Sequence, residues 1–328
     1  MSFIVRRLIF YVVAAWAALT INFFIPRLVP GNAVESIMSK FPNLQPSAYR
    51  ALEALLGVGN PGSIWHQYWA YLVDVSHLNF GTSVSQYPAQ VSTLLGEALP
   101  WTIILVGTAT VIAFLIGTAL GIAAGWRHGG GLDRVLPGLM FLQAIPYFFF
   151  ALILLELFAV KVHVFPIAQG YAQGDVPGWN WAFISSAIYH SLLPALTIVL
   201  TSIAGWMLQM RNVMITTIGE DYVVAAQAKG LHNRRVVLTY AARNAILPQL
   251  QGFGLAIGFV VSGALVMEIV FSYPGIGLLL INSVTSNDYP LTQAIFLVVT
   301  FAVLLANLIV DLVIVFVDPR ARAREATR

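Results

Sequence analysis

The chain has 328 residues, of which 59% are hydrophobic and only 9% charged. A soluble domain carries about 25% charged residues, so this chain cannot supply the charged shell of an ordinary soluble fold. Its net charge of +3 comes from unclustered basic residues and gives no nucleic-acid patch, and the absence of cysteine excludes disulfides and thiolate metal sites.

The apolar residues are gathered into long runs. No Asp, Glu, Lys or Arg occurs at 98–126, 176–210, 244–267 or 289–310. A helix crosses a bilayer core in about 20 residues, so each run is long enough to span.

In chain order, the first apolar segment is 8–26, preceded by Arg6 and Arg7. It has some features of a secretory signal peptide, with Ala15-Trp16-Ala17 as a cleavage site. Apolar residues continue past that site, however, so a retained first spanning helix is expected. Charge, Pro, Gly and Asn return over 27–98, which reads as an extracytoplasmic loop with short helices. The second span is 100–126, entered directly from 91–99. A turn at 127–134 leads to the third span, 135–160. A polar, aromatic loop runs from Lys161 to about His190, and the fourth span is 191–210. Residues 211–247 are polar and read as helical in two pieces. The fifth span is 248–271, a loop follows over 272–290, and the sixth span is 291–317. The expected architecture is an all-α integral membrane protein with six transmembrane helices. Its parts are the first helix (1–26), the outer loop (27–98), a five-helix core (99–317) containing a cytoplasmic segment (212–247), and a basic tail (318–328).

Basic residues favour cytoplasmic loops. With the N-terminus cytoplasmic, only Arg27, Lys40, Arg50 and Lys161 of the 17 Lys and Arg residues lie outside. Both termini are therefore expected in the cytoplasm. Small residues recur four apart at Gly117, Gly121 and Gly125, and again at Gly254 and Gly258, as in helices that approach closely in lipid.

The cytoplasmic segment holds a short helix from Glu220 to Leu231. Glu220 and Asp221 suit the positive end of a helix dipole and Lys229 the negative end. Gly230 is a natural C-terminal cap, and Ala225, Ala226 and Ala228 make the body smooth. A second helix is expected from Asn233 to Leu247. Such a short helix fits either a groove on a soluble partner or the membrane surface, and its pattern leaves both open.

The residues of this segment carry a resemblance. Asp221-Tyr222-Val223, Ala226, Ala228-Lys229-Gly230-Leu231 and Arg243-Asn244-Ala245-Ile246-Leu247-Pro248 resemble the coupling-loop signature of permeases from ATP-binding-cassette importers, above all the dipeptide/oligopeptide branch. Val224 stands where the wider superfamily has Glu, which weakens a salt bridge to an ATPase but not docking by shape. Further stretches resemble the same family in order. They are Leu28-Val29-Pro30-Gly31-Asn32, Asn79-Phe80-Gly81-Thr82-Ser83, Ile145-Pro146, Glu268 to Gly277, Asp288-Tyr289-Pro290 and Asp318-Pro319-Arg320.

The resemblance implies a type I importer permease in a prokaryotic cell membrane. It would pair with a second, similar permease, two ATPase subunits and an extracytoplasmic binding protein. ATP and Mg2+ would sit on the ATPases, and no cofactor is expected on this chain, which lacks Gly-x-x-x-x-Gly-Lys-Ser/Thr. ATPase coupling is expected at Asp221, Tyr222, Ala225, Ala226, Ala228, Lys229, Gly230 and Leu231. An outer gate is expected at Glu268, Phe271, Pro274, Gly275 and Gly277. Peptide is the first expected cargo, then oligosaccharide, with metal complexes also carried in this branch.

Carboxylates in spans are costly and invite a functional reading. Glu156, Glu268 and Asp311 are the residues an ion-coupled secondary transporter would use, and the alternative to function is pairing with polar neighbours such as Asn307. Pro146 and Pro274-Gly275 read either as hinges or as fixed kinks. Tyr171, Trp179 and Trp181 suit a membrane interface or contact with sugar or a binding protein. The six His residues show no ligand spacing, and no Gly-x-Ser-x-Gly or His-Glu-x-x-His supports hydrolysis.

Overall fold

A computed structural model describes residues 3–28, 63–258, 260 and 265–317. Among these the regular structure is helical, apart from a single antiparallel bridge between Thr82 and Gln90, with an irregular loop over 162–180. We number the helices α1 (Phe3–Leu28), α2 (Ile64–Ser76), α3 (Val91–Trp126), α4 (Gly131–Ala144) and α5 (Tyr147–Lys161). Then follow α6 (Trp181–Ile218), α7 (Asp221–Ala228), α8 (233–258), α9 (Leu265–Val270), α10 (Ile276–Thr285) and α11 (Tyr289–Val317). Leu155–Lys161 of α5 and Val236–Ala242 of α8 are wound as π-helix.

The centre of the fold is the α3–α6 pair, and glycine makes it possible. A Cβ on Gly117 would lie 2.5 Å from the Trp206 Cβ, one on Gly121 2.6 Å from the Met207 carbonyl, and one on Gly125 2.5 Å from the Met214 Cβ. Without side chains at these positions the two backbones touch, which is how helices gain dispersion energy where lipid gives no hydrophobic drive. The partners ascend in the same order on both helices, so α3 and α6 run parallel.

Two parallel neighbours require the intervening chain to travel back, and α4 with α5 does this. At one end Arg211 of α6 donates Nε to Asp133 Oδ1 at 2.7 Å and Nη2 to Oδ2 at 3.1 Å. Past α5, the Gln169 N–H donates to the Phe271 carbonyl at the opposite end. The return is not straight: α4 and α5 meet at 97°. Pro146 has no N–H to give, and the residue before a proline avoids helical angles. Ile145 is accordingly extended at φ −75, ψ 127, and its N–H turns back to Leu142. The single third span expected over 135–160 is thus two helices, and the hinge or kink expected at Pro146 is a sharp break.

Two further pairings are antiparallel: α8 and α9 against α3, and α11 against α1. Along α8 and α9, Gln249 meets Thr118, Phe253 meets Phe114 and Glu268 meets Thr102 of α3. Asp311 of α11 pairs with Arg7 of α1 at 2.9 Å and accepts from the Tyr11 hydroxyl at 2.6 Å, while Asn22 donates to the Gln293 carbonyl at 3.0 Å. Apolar side chains cover the outside as well as the inside. Val12, Val13 and Trp16 of α1, Ile104 and Leu115 of α3 and Leu305 of α11 are all exposed. A bundle apolar on its outer surface is built for lipid.

Four helices are long and apolar enough to cross a membrane, and the bent pair makes a fifth candidate. Of the expected fifth span, 259 and 261–264 lie outside the described residues. The expected fourth span is longer at both ends, because α6 continues past Ser191 and Met210. The expected loop over 272–290 contains α10, a ten-residue helix too short to span. Residues 29–62 of the expected outer loop, which hold its Leu28–Asn32 motif beyond the first residue, and the tail 318–328 also lie outside the described residues.

Candidate functional site

Three places concentrate the polar and special residues: the short helix α7, the turn between α9 and α10, and the break between α4 and α5.

Helix α7 begins after an extended Glu220 and ends in a Schellman turn. The Gly230 N–H donates to the Gln227 carbonyl at 2.9 Å and the Leu231 N–H to the Ala226 carbonyl at 3.4 Å, with Gly230 at φ +70. That left-handed angle suits glycine, which has no Cβ to clash. Val223 and Ala226, three apart, are buried against Met210, Met214, Val236 and Ala241. Leu231 is half-buried on the same cluster. The opposite face, Asp221, Tyr222, Val224, Ala225, Ala228 and Lys229, is exposed. Of the eight residues expected to couple to an ATPase, Ala226 and Leu231 therefore root the helix, and Gly230 shapes its end. The other five lie on the exposed face together with Val224. The adjoining segment of α8 presents Arg234 and Arg235, also exposed.

At the opposite end of the bundle, Glu268 is fully buried. Its carboxylate accepts from the Thr102 hydroxyl at 2.6 Å and from the Gly277 N–H at 2.6 Å. The Ile276 N–H donates in turn to Thr102 Oγ1 at 2.9 Å. The Glu268 carboxyl group thus sits at the N-terminus of α10, where the first helix N–H groups lack partners within the helix. A Cβ on Gly275 would fall on the Glu268 carboxyl group, and one on Gly277 would lie 2.5 Å from the Leu265 Cα. The Pro-Gly-Ile-Gly turn is therefore small because the carboxylate fills the space. Phe271 is buried in the cluster with Leu105, Phe150, Leu193 and Met267. Tyr273, also buried, shares a 2.9 Å hydrogen bond with Ser191. The Trp101 ring touches Tyr273 and stacks on Tyr171 at 5.8 Å. Trp179 and Trp181, by contrast, are exposed.

A second buried carboxylate sits nearby. Asp288, ahead of α11, accepts on Oδ2 from Ser83 Oγ at 2.5 Å, the Ser85 N–H at 2.9 Å and Ser85 Oγ at 2.8 Å. Its Oδ1 accepts from the Leu291 N–H at 3.2 Å. Two of the separate family motifs, Thr82-Ser83 and Asp288-Tyr289-Pro290, are in fact one contact.

At the Ile145–Pro146 break lies a cavity of about 450 Å³, bounded by α3, α4, α5, α6, α8 and α9. Thr110, Gln143, Thr201 and Ser202 give it polar groups, and Val106 and Met267 are among its apolar walls. Gln143, Ala144 and Pro146 are exposed, so the cavity opens on the bundle surface. The reading of Pro146 as a hinge or kink pointed to the break, but nothing in the sequence pointed to the side chains that converge there. Gln249 was missed as well. It is fully buried and donates Nε2 to Thr118 Oγ1 at 3.0 Å and to the Trp206 carbonyl at 2.9 Å, tying α8 to α3 and α6.

The three span carboxylates do not converge. Glu156 reaches Lys161 at 3.8 Å on an exposed surface, Glu268 holds α10, and Asp311 pairs with Arg7 and Tyr11 rather than with Asn307. Among the described residues no group of three His, Asp or Glu side chains is placed to hold a metal.

Comparison with known proteins agrees with these features. Residues 117–323 match the family described as binding-protein-dependent transport system inner membrane component. The oligopeptide transport system permease protein AppB of Bacillus subtilis is 30% identical over 97% of this chain and 98% of its own. The dipeptide transport system permease protein DppB of Escherichia coli K12 is 30% identical over 99% of this chain and its own full length. The di/tripeptide permease DppB of Pseudomonas aeruginosa is 31% identical over 98% of this chain and 99% of its own. The chain, with its short exposed helix α7 and its lipid-facing bundle, belongs to the binding-protein-dependent transport system inner membrane components.

Proposed function

We propose that this chain is one of two pore-forming permease subunits of an ATP-driven peptide importer in the cytoplasmic membrane of a bacterium. The observation that carries this is the likeness to peptide permeases along essentially the whole chain. The second permease covers the open side of the α4–α5 cavity. Two ATPase subunits bind ATP and Mg2+ and dock on α7, and an extracytoplasmic binding protein delivers the peptide.

Six spans with both termini cytoplasmic and a large outer loop after α1 fit this role. The start of α1 and the end of α11 lie at the same end of the bundle as α7, and the basic residues are biased to that end. Coupling runs through Asp221, Tyr222, Val224, Ala225, Ala228 and Lys229. This face has two alanines, Ala225 and Ala228, and the helix is anchored by Val223 and Ala226, so force on it is passed to α6 and α8. Glu268, Phe271, Pro274, Gly275 and Gly277 form the outer gate region. The ion-coupled alternative finds no support in the geometry, since its three carboxylates sit apart, each with its own partners.

A mild-detergent pull-down of this chain from its native membrane tests the reading. Recovery of a second permease and ATPase chains, and ATP-dependent uptake of peptide by the reconstituted complex, are the expected results. A chain that comes down only with itself overturns it.

A further inference from the structure

The break between α4 and α5 has a consequence for the backbone as well as for the path of the chain. In an uninterrupted helix the carbonyls of Gln143 and Ala144 would accept from the N–H groups of residues 147 and 148. Here Tyr147 opens a helix turned by 97°, and among the described residues no backbone N–H reaches either carbonyl. Unsatisfied carbonyls in a membrane bundle are tolerated only where they are buried in protein or line a watery cavity. These two residues line the cavity of about 450 Å³. Facing it from α3, α4 and α6 are Thr110, the Gln143 amide and Ser202, none of which hydrogen-bonds another protein group among the described residues. Thr201, in contrast, is satisfied by its own helix, at 2.9 Å to the Thr197 carbonyl. The Gln143 amide lies over Gly205, where an added Cβ would come 2.9 Å from its Nε2, so the chain keeps room for it.

Two residues with freed backbone carbonyls thus line the cavity beside side-chain donors that can also accept, with Val106, Ile198 and Met267 as apolar walls. That combination matches a peptide main chain, which offers N–H and C=O groups in alternation. It makes no demand on the peptide's side chains beyond apolar contact.

We propose that the α4–α5 break is a way-station for the main chain of the translocated peptide. The Gln143 and Ala144 carbonyls accept its N–H groups, and Thr110, Gln143 and Ser202 hydrogen-bond its carbonyls. The proposal rests on the peptide-importer reading above.

The natural chain has no cysteine, so a single Gln143→Cys substitution gives a clean probe. The complete importer is placed in proteoliposomes and arrested with ATP on hydrolysis-blocked ATPases. Maleimide labelling of residue 143 is then timed with binding protein carrying trialanine and with empty binding protein. Labelling several-fold slower with trialanine is expected. In a second arm, uptake of trialanine is compared between the wild-type importer and a Thr110→Val, Gln143→Leu, Ser202→Ala triple variant, with assembled complex quantified in each. Loss of two or three hydrogen bonds, each worth about 1 kcal/mol, predicts uptake slowed by tenfold or more at equal assembly. A wild-type importer that takes up trialanine, with labelling indifferent to it and the triple variant as fast, overturns the way-station alone. A correctly assembled wild-type importer that takes up no peptide of any sequence overturns the importer reading and this proposal with it.

Discussion

At the residue scale, Glu268 shows how a costly group is made to fit. A buried carboxylate needs donors, and this one takes them from Thr102 and the first turn of α10. Glu268→Ala leaves those donors facing a hole. Each orphaned buried donor costs about 1–3 kcal/mol, so thermal unfolding in detergent should begin at a clearly lower temperature. Glu268→Gln keeps one acceptor for the Gly277 N–H, and its amide can donate to Thr102 Oγ1, so it should fall between wild type and Ala. If Glu268→Ala melts like the wild type, the carboxylate is not a structural tie. If Glu268→Gln assembles normally yet imports at full rate, its place in the gate is lost. The sequence marks Glu268 as unusual, because a charged residue stands out in an apolar run. It does not mark Thr102, since a threonine in a spanning helix is common and its partner is 166 positions away.

At the element scale, α7 separates two kinds of position that the sequence presents as one motif. Its existence, dipole charges and capping glycine were legible, because those depend on neighbours within one helical turn, although the helix itself is shorter than expected and ends at Ala228. Which face points inward was not, because that is set by Met210, Met214 and Val236 on other helices. The two faces predict opposite phenotypes. Val223→Asp puts a charge into the cluster under α7 and should reduce the yield of folded protein several-fold. Ala228→Arg changes only the exposed face. It should leave yield and melting temperature unaltered while the ATPase subunits are lost from the purified complex. Size-exclusion chromatography of the two variants, with and without the ATPases, distinguishes them, and loss of folding in both would mean that α7 has no free face. The break in the third span has the same lesson. Pro146 made a kink legible, but a 97° turn needs the neighbouring helices to cover or solvate the freed backbone, and no local pattern announces them.

At the scale of the whole molecule, the chain closes on itself through contacts between residues far apart in sequence. Asp288 is the clearest case. It is buried, it accepts four hydrogen bonds, and three of them come from Ser83 and Ser85, more than 200 positions earlier. The segment that leads into α3 is thereby fixed to the start of α11, and α10 is packed between them. Val91 and Leu95 of α3 meet Ile276 of α10 and Leu291 of α11 in one cluster. In sequence the two ends of this clasp appear as unrelated family motifs, and only folding makes them a pair. The clasp should therefore behave as a single unit when either side is cut. Asp288→Ala removes the shared acceptor and leaves the Ser85 N–H unpaired, so the 82–86 segment should loosen without loss of the α3–α6 pair, which is held independently by its glycines. Ser83 is fully buried, so a Ser83→Cys thiol should react with maleimide many times faster when combined with Asp288→Ala than alone. Asp288→Asn, which keeps one carbonyl oxygen for these donors, should react at a rate between the two. Equal rates in all three proteins would show that the segment is held by α10 and α11 packing alone and that the carboxylate is dispensable.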